Sequence, residues 1–434
     1  MRSTATEPAP TLATLPNDVR VITLPMPHLQ TASVSVFVRS GSAHESRRLN
    51  GIGHVVEHMV FKGTAQRSGH QINLDAERLG AEANAHTDKD HSAFHLRGLA
   101  GHAPQFVQLL ADLVCAPSFP ADELERERQV LLQEVAEGED DPMATAYKLF
   151  DSACYGLHAL AQPVIGSRAN IERFTRDELV AWVQQQFTGA NVLVAAAGGI
   201  DTAAVLRAAE QAFTGLPPGQ PHTVAPAPFV GGLRSRRVAG SSQTHVVMGF
   251  PVPGLVDDDP VAEVAAALLG EGMSSPLMSE LRERRGLVYH AACAADVLGL
   301  GGQFVVEASV APDKLDELLR AVAGLMQAQA QATDAVDLER AHNQLAVRRL
   351  RGLERPGRRL EDAALDWFAL GRVRPPAERA ARTDGVTAAQ VQALFKRLWA
   401  GPLALAMTGR VGPTTLDRAR AALGRGAVRA APAP

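Results

Sequence analysis

Residues 50–64 read NGIGHVVEHMVFKGT. The run from Ile52 to about Phe61 is compatible with a helix that Gly63 closes. On a helix His54 and His58 stand one turn apart on one face. That spacing brings two imidazoles within reach of a single ion at about 2.0–2.1 Å. Glu57, three places after His54, projects beside the pair and is placed to take a proton from an attacking water. The pattern is HxxEH, the inverted order of the HExxH zinc motif. A catalytic zinc takes three protein ligands and keeps one position open, so a third ligand must come from elsewhere in the chain. Five residues with three fixed positions also arise by chance, so the surroundings decide.

Working outward, residues 19–23 and 31–39 alternate apolar and polar and read as strands, joined by a turn at Pro25–Pro27. Helices are expected at about 68–79, 104–115, 121–137 and 176–187. Residues 77–96 read as turn, strand, turn, strand, and 191–197 is an apolar strand ending in Gly198–Gly199. The helix at 121–137 carries LERERQVLLQEV, with Glu127 and Glu134 two turns apart on roughly one face. Taken alone, Glu134 is a solvated helix residue; Glu127 is a carboxylate that could orient a histidine.

Near Leu216 the character changes. LPPGQPHTVAPAPFVGG is rich in Pro and Gly and almost uncharged, as an extended linker is. The pattern then restarts, with a strand at 244–250 and helices at 259–269 and 275–284. Glu77-Arg78-Leu79-Gly80 is echoed by Glu283-Arg284-Arg285-Gly286. Phe94 and then Leu109-Leu110 return as Phe304 and Leu318-Leu319, and Leu124-Glu125-Arg126 as Leu338-Glu339-Arg340. The shift is roughly 210 residues each time, the mark of an internal duplication. No HxxEH occurs in the second copy, and Arg348 stands about where Glu134 does, so metal is expected in the first copy alone. The expected organisation is a tail at 1–11, a zinc-binding domain at 12–215, a linker at 216–236 and a metal-free homologous domain at 237–434. Each domain should be α+β, a mostly antiparallel sheet with helices packed on one face.

Composition agrees with two globular domains. The chain has 434 residues, 46% hydrophobic and 21% charged. A net charge of −4 argues against a surface built for nucleic acid or anionic membrane. Three cysteines, Cys115, Cys154 and Cys293, are far apart and suggest neither a disulfide framework nor a thiolate site. The start MRSTATEPAP lacks a secretory pattern, and no apolar run reaches membrane-spanning length, so a cytoplasmic location is expected.

NGIGHVVEHMVFKGT, preceded by SVSVFVRSGSAHE and followed in order by LGAEANAHTDKD, LERERQVLLQEV and QPVIGSRANI, resembles the pitrilysin/insulinase family of inverted zinc peptidases, which includes mitochondrial processing peptidase. The resemblance runs from Thr11 to about Gly424. It implies zinc held by His54, His58 and Glu134, with Glu57 as general base and Glu127 as an accessory glutamate. In SSPLMSELRERRGLVYHA it implies substrate contacts from Arg282 and Tyr289. By themselves these two read as a surface helix residue and a strand packing residue. Pro276 departs from the family's usual SSRL and removes a charge near the site. The strand holding Asn84, Ala85 and Thr87 matches one that pairs with substrate backbone, which implies extended, unfolded peptides as substrates; an internal strand with Asn84 in a turn is the other reading.

In that family four such units surround a chamber, so a chain with two units is expected to dimerise, as a homodimer or with a related subunit. Two rival functions are a non-catalytic partner subunit and a non-peptidase HxxEH enzyme of the S-ribosylhomocysteine lyase type, which is shorter and adds a cysteine. His91 and His95 are also four apart, but on a strand they would lie about 13 Å from each other, too far for one ion.

Overall fold

The computed structural model describes residues 9–424. They form two compact units. The first holds the chain to Val135, Pro163–Val224 and Arg351–Val373; the second holds Ala136–Gln162, Ala225–Leu350 and the chain from Arg374 on.

The first unit is built on a six-stranded sheet. Its strands are β1 (Thr11–Thr14), β2 (Arg20–Pro25), β3 (Thr31–Val38), β4 (Glu82–Thr87), β5 (Ser92–Leu99) and β6 (Val192–Gly198), in the order β1-β2-β6-β3-β5-β4. Only β2 and β6 are parallel; the other neighbours are antiparallel. In β3, Ala32, Val34, Val36 and Val38 enter a core shared with the helices Ile52–Met59, Ala103–Cys115 and Thr202–Phe213. Phe37 points to the opposite face, among Ile22, Leu24, Leu193, Ala195 and Ala197. Strand β6, VLVAAAG, is buried along its whole length because it serves both faces, and so shows no alternation.

The second unit carries β7 (Gly232–Arg237), β8 (Thr244–Val252), β9 (Ala291–Leu298), β10 (Gly301–Val310) and β11 (Ala404–Gly409), ordered β7-β11-β8-β10-β9. Strands β7 and β11 are parallel and the rest antiparallel. This reproduces β2-β6-β3-β5-β4 in order and sense, so the duplication read from scattered dipeptides is a duplication of topology. The α+β class holds for both units.

Two helices depart from the expected plan of one covered face and a single boundary near the linker. Pro356–Leu370, from the second half of the chain, packs on β2, β3 and β6 and places Leu360, Ala363 and Ala364 against Phe37 and its neighbours. Pro142–Tyr155, from the first half, packs on β7, β8 and β11. Its Phe150 lies so close to Gly249 that a Cβ there would come within 2.5 Å of the ring. The reason is that each sheet is apolar on both faces. The repeat's own helices cover one face, and a helix from the other repeat covers the second. The unit boundaries therefore fall at Val135 and Leu350 as well as at Val224.

The expected tail at 1–11 lies outside the described residues as far as residue 8, and Thr11 already opens β1. None of the three cysteines is in a disulfide. Among the described residues no helix is long and apolar enough to cross a membrane.

Candidate metal centre

The helix Ile52–Met59 is short and begins at Gly51, whose φ of 97° only glycine adopts easily. A Cβ on Gly51 would sit 2.7 Å from Cα of Gly166, so NGIGH and QPVIGS meet backbone to backbone. The helix start is held by Glu45. Its carboxylate accepts from the amides of Gly51 at 2.7 Å and Gly53 at 2.8 Å, and from Asn50 Nδ2 at 3.1 Å. These are amides that a helix N-terminus leaves unpaired.

On this helix the imidazoles of His54 and His58 are 4.7 Å apart, centre to centre. Nε2 of His54 is 3.7 Å from Oε1 of Glu134, and Nε2 of His58 is 3.8 Å from Oε2. Donors about 2.0–2.1 Å from one tetrahedral ion lie about 3.3–3.4 Å from each other, so small side-chain shifts would let these three hold one. Burial, and then the neighbouring His58, lower the pKa of His54 to about 4, which keeps it in the neutral form that ligates metal.

Glu134 and Glu127 both come from the long helix Ala121–Asp140. Oε1 of Glu127 is 2.8 Å from Nδ1 of His58, while Lys62 donates to Oε2 at 2.5 Å. Burial opposes the charge of Glu127, but Lys62 and His58 together hold its pKa below the ordinary carboxylate value. The ring of His58 is thereby fixed with Nε2 toward Glu134, the way a carboxylate orients a ligating histidine.

Glu57 stands beside the histidines and is not part of the ligand set. Burial raises its pKa, against hydrogen bonding from Thr87. Its Oε2 is buried and without a hydrogen-bond partner. A carboxylate held at one end with the other oxygen unpaired and its pKa raised is suited to accept a proton.

Thr87 therefore serves Glu57, a part the sequence did not reveal for it. It ends β4, which is the terminal strand of the sheet and pairs only with β5 among the described residues. Asn84 on the same strand is exposed, and Ala85 packs against the core. Arg282 and Tyr289 belong to the second unit. Ser275 caps a turn beginning at Pro276 that leads into a π-helical turn, Ser279–Arg284. There the Arg282 guanidinium lies 5.1 Å over the Tyr289 ring, and Tyr289 is 84% exposed. The two form a cation–π pair.

Sequence reasoning missed Glu45 and Lys62. Lys62 had a signal, its i+4 position from His58. Glu45 had none, since its contact with the helix depends on the intervening loop. Reasoning also dismissed His91 and His95. The two do not meet each other on one strand; instead each meets His86 of β4, His95 at 3.0 Å and His91 at 3.4 Å.

Comparison with known proteins identifies the family. Residues 20–168 match the family model "Insulinase (Peptidase family M16)" and residues 173–345 match "Peptidase M16 inactive domain". An "uncharacterized zinc protease" of Mycobacterium bovis is 31% identical over 93% of this chain and 94% of its own. Subunit 1 of the mitochondrial cytochrome b-c1 complex of Bos taurus is 31% identical over 64% of this chain and 61% of its own. A crystal structure from Pseudomonas fluorescens, described as a peptidase M16 inactive domain, matches in fold with a TM-score of 0.86 at 20% identity, covering 93% of this chain and 99% of that one. An HxxEH helix facing a distant glutamate, in a duplicated α+β chain with these relatives, makes this protein a member of peptidase family M16.

Proposed function

We propose that the chain is a zinc-dependent endopeptidase acting on extended or unfolded peptides. The observation that carries this reading is the convergence of His54, His58 and Glu134 beside a Glu57 whose Oε2 has no partner. In this reading the three converging residues hold one zinc ion. When bound, zinc polarises the scissile carbonyl and makes the attacking water more acidic. Glu57 accepts the proton of that water at Oε2 and returns it to the leaving amine. Glu127 and Lys62 keep His58 in its ligating orientation. Terminal strand β4, through Asn84, Ala85 and Thr87, offers main-chain groups to an extended peptide, a mode that tolerates varied side chains. Arg282 and Tyr289 contact substrate, Tyr289 donating its hydroxyl to the developing oxyanion. Two chains pair, as a homodimer or with a related subunit, and work in the cytoplasm.

The second reading is a non-catalytic partner subunit. The bovine relative, named as subunit 1 of the cytochrome b-c1 complex, favours it. Zinc content and cleavage, measured on the wild type and its variants, separate the two. Glu57→Gln should retain its zinc, by elemental analysis, and lose about 10²–10⁴ of its rate on an unstructured peptide library. His58→Ala or Glu134→Ala should lose both zinc and rate. A wild-type chain that holds zinc and cleaves nothing in the library would make the partner-subunit reading the correct one.

A further inference from the structure

On the face of the first sheet away from the HxxEH helix, three histidines and a glutamate gather at one point. His86 comes from β4, His91 from the turn before β5, His95 from β5, and Glu361 from the helix Pro356–Leu370. Nε2 of His86 is 3.4 Å from Nε2 of His91 and 3.3 Å from Oε1 of Glu361. Nε2 of His91 is 3.7 Å from Oε2 of Glu361. Each histidine faces a different oxygen of Glu361, as His54 and His58 face the two oxygens of Glu134, at separations near the roughly 3.3–3.4 Å edge of a tetrahedral site. We propose that His86, His91 and Glu361 form a second metal site, which takes a divalent ion of the zinc class and ties the helix Pro356–Leu370 to the back of the sheet.

The surroundings are those of a prepared ligand set. Nδ1 of His91 lies 2.8 Å from Oδ1 of Asp90, as Nδ1 of His58 does from Glu127. Behind His86, its Nδ1 meets Nε2 of His95 at 3.0 Å, and Nδ1 of His95 meets the hydroxyl of Ser35 at 3.0 Å. In one of the two proton orders that this row permits, His86 donates to His95 and His95 donates to Ser35. That order leaves Nε2 of His86 as a lone pair facing His91 and Glu361, which is what a ligand needs. Asp88 is also within ligating distance of His86 and His91 and is exposed, so a fourth ligand is at hand. His91 and His95 are buried, whereas His86 is partly open, which gives an ion a way in.

A divalent cation at this point would lie between two imidazoles and the Glu361 carboxylate, with Asp90 behind His91. Its effect would reach the other face of the sheet, because His86 is followed directly by Thr87, which holds Glu57.

The test uses the full chain with the first site disabled by His58→Ala and cobalt(II) as the probe. The expected result is one cobalt per chain, with ligand-field absorption of a tetrahedral N/O site. Adding His86→Asn, a partly exposed position, should abolish this binding with the far-UV circular dichroism unchanged. Adding Glu361→Gln instead should weaken it at least tenfold. The proposal is overturned if the His58→Ala chain binds no cobalt, or if its cobalt survives both second substitutions. The outcome is independent of whether the first site cleaves peptides.

Discussion

Glu127 divides its carboxylate between His58 and Lys62, both far from it in the chain. Its neutral amide could still meet His58 but would lose the charge-assisted contact with Lys62. Glu127→Gln is therefore expected to lower zinc affinity about 10–100-fold, measured by competition with a chelator, with the fold unchanged. Unaltered affinity would remove Glu127 from the site. Glu45 makes a pH prediction. Burial raises its pKa from 4.5 to about 7, outweighing the amides that favour its charge. A folded pKa above the unfolded one means that folding favours the neutral acid. The stabilisation is complete below about 4.5 and is lost as pH rises through about 7, a change of at most about 3 kcal/mol. The urea midpoint should fall between pH 6 and 8 in the wild type, and less so in Glu45→Gln; equal falls would show that Glu45 is not the group responsible. At this scale the sequence disclosed what one helix repeats, His54, Glu57 and His58. Glu134 was identifiable only through resemblance, because nothing in local spacing says which of many helix carboxylates turns inward. The histidines around His86 were misread, since distance along a single strand says nothing of a neighbour on the next.

Among the elements, the helix Ile52–Met59 depends on close backbone contact at Gly51 and Gly166 more than on its own eight residues. Gly51→Ala would force a side chain to φ 97° and into Gly166. It should destabilise by at least about 2 kcal/mol in urea unfolding. Gly324 gives the opposite sign: it lies inside the helix Leu315–Gln331 with open space where a Cβ would go. Gly324→Ala should stabilise by about 0.5–1 kcal/mol. A stable Gly51→Ala variant would show that the helix start tolerates displacement. Elements such as Thr31–Val38 and Ala103–Cys115 were legible from periodicity, whereas Thr202–Phe213, Ala388–Ala400 and Thr415–Leu423 were not read from the sequence. The helix Pro142–Tyr155 was missed although Asp141 caps it and Pro142 opens it. Even when such a helix is seen, its apolar stripe does not say which sheet it will cover.

For the whole molecule, the proposed pairing of two chains has a genetic test. If Arg282 and Tyr289 of one chain serve the zinc-site residues of its partner, Glu57→Gln and Tyr289→Phe chains should complement each other. Isolated mixed dimers would keep one undamaged site in two and regain about half the wild-type rate. Mixed dimers as inactive as either parent would show that each chain uses its own pair. The duplication was legible as a repeat of short motifs, but the exchange of helices between repeats was not, because it breaks no local pattern. That exchange has a consequence for how the protein is made. When a ribosome has added residue 224, every strand of the first sheet exists, yet the helix that covers Ile22, Leu24, Phe37, Leu193 and Ala195 does not. Another 150 or so residues must follow, roughly 10–30 s at ordinary synthesis rates, during which one face of the nascent sheet stays greasy and uncovered. A chain stopped at residue 224 should therefore sediment as aggregate or stay bound to chaperones, and a chain stopped at residue 373 should be the first in which that sheet can close.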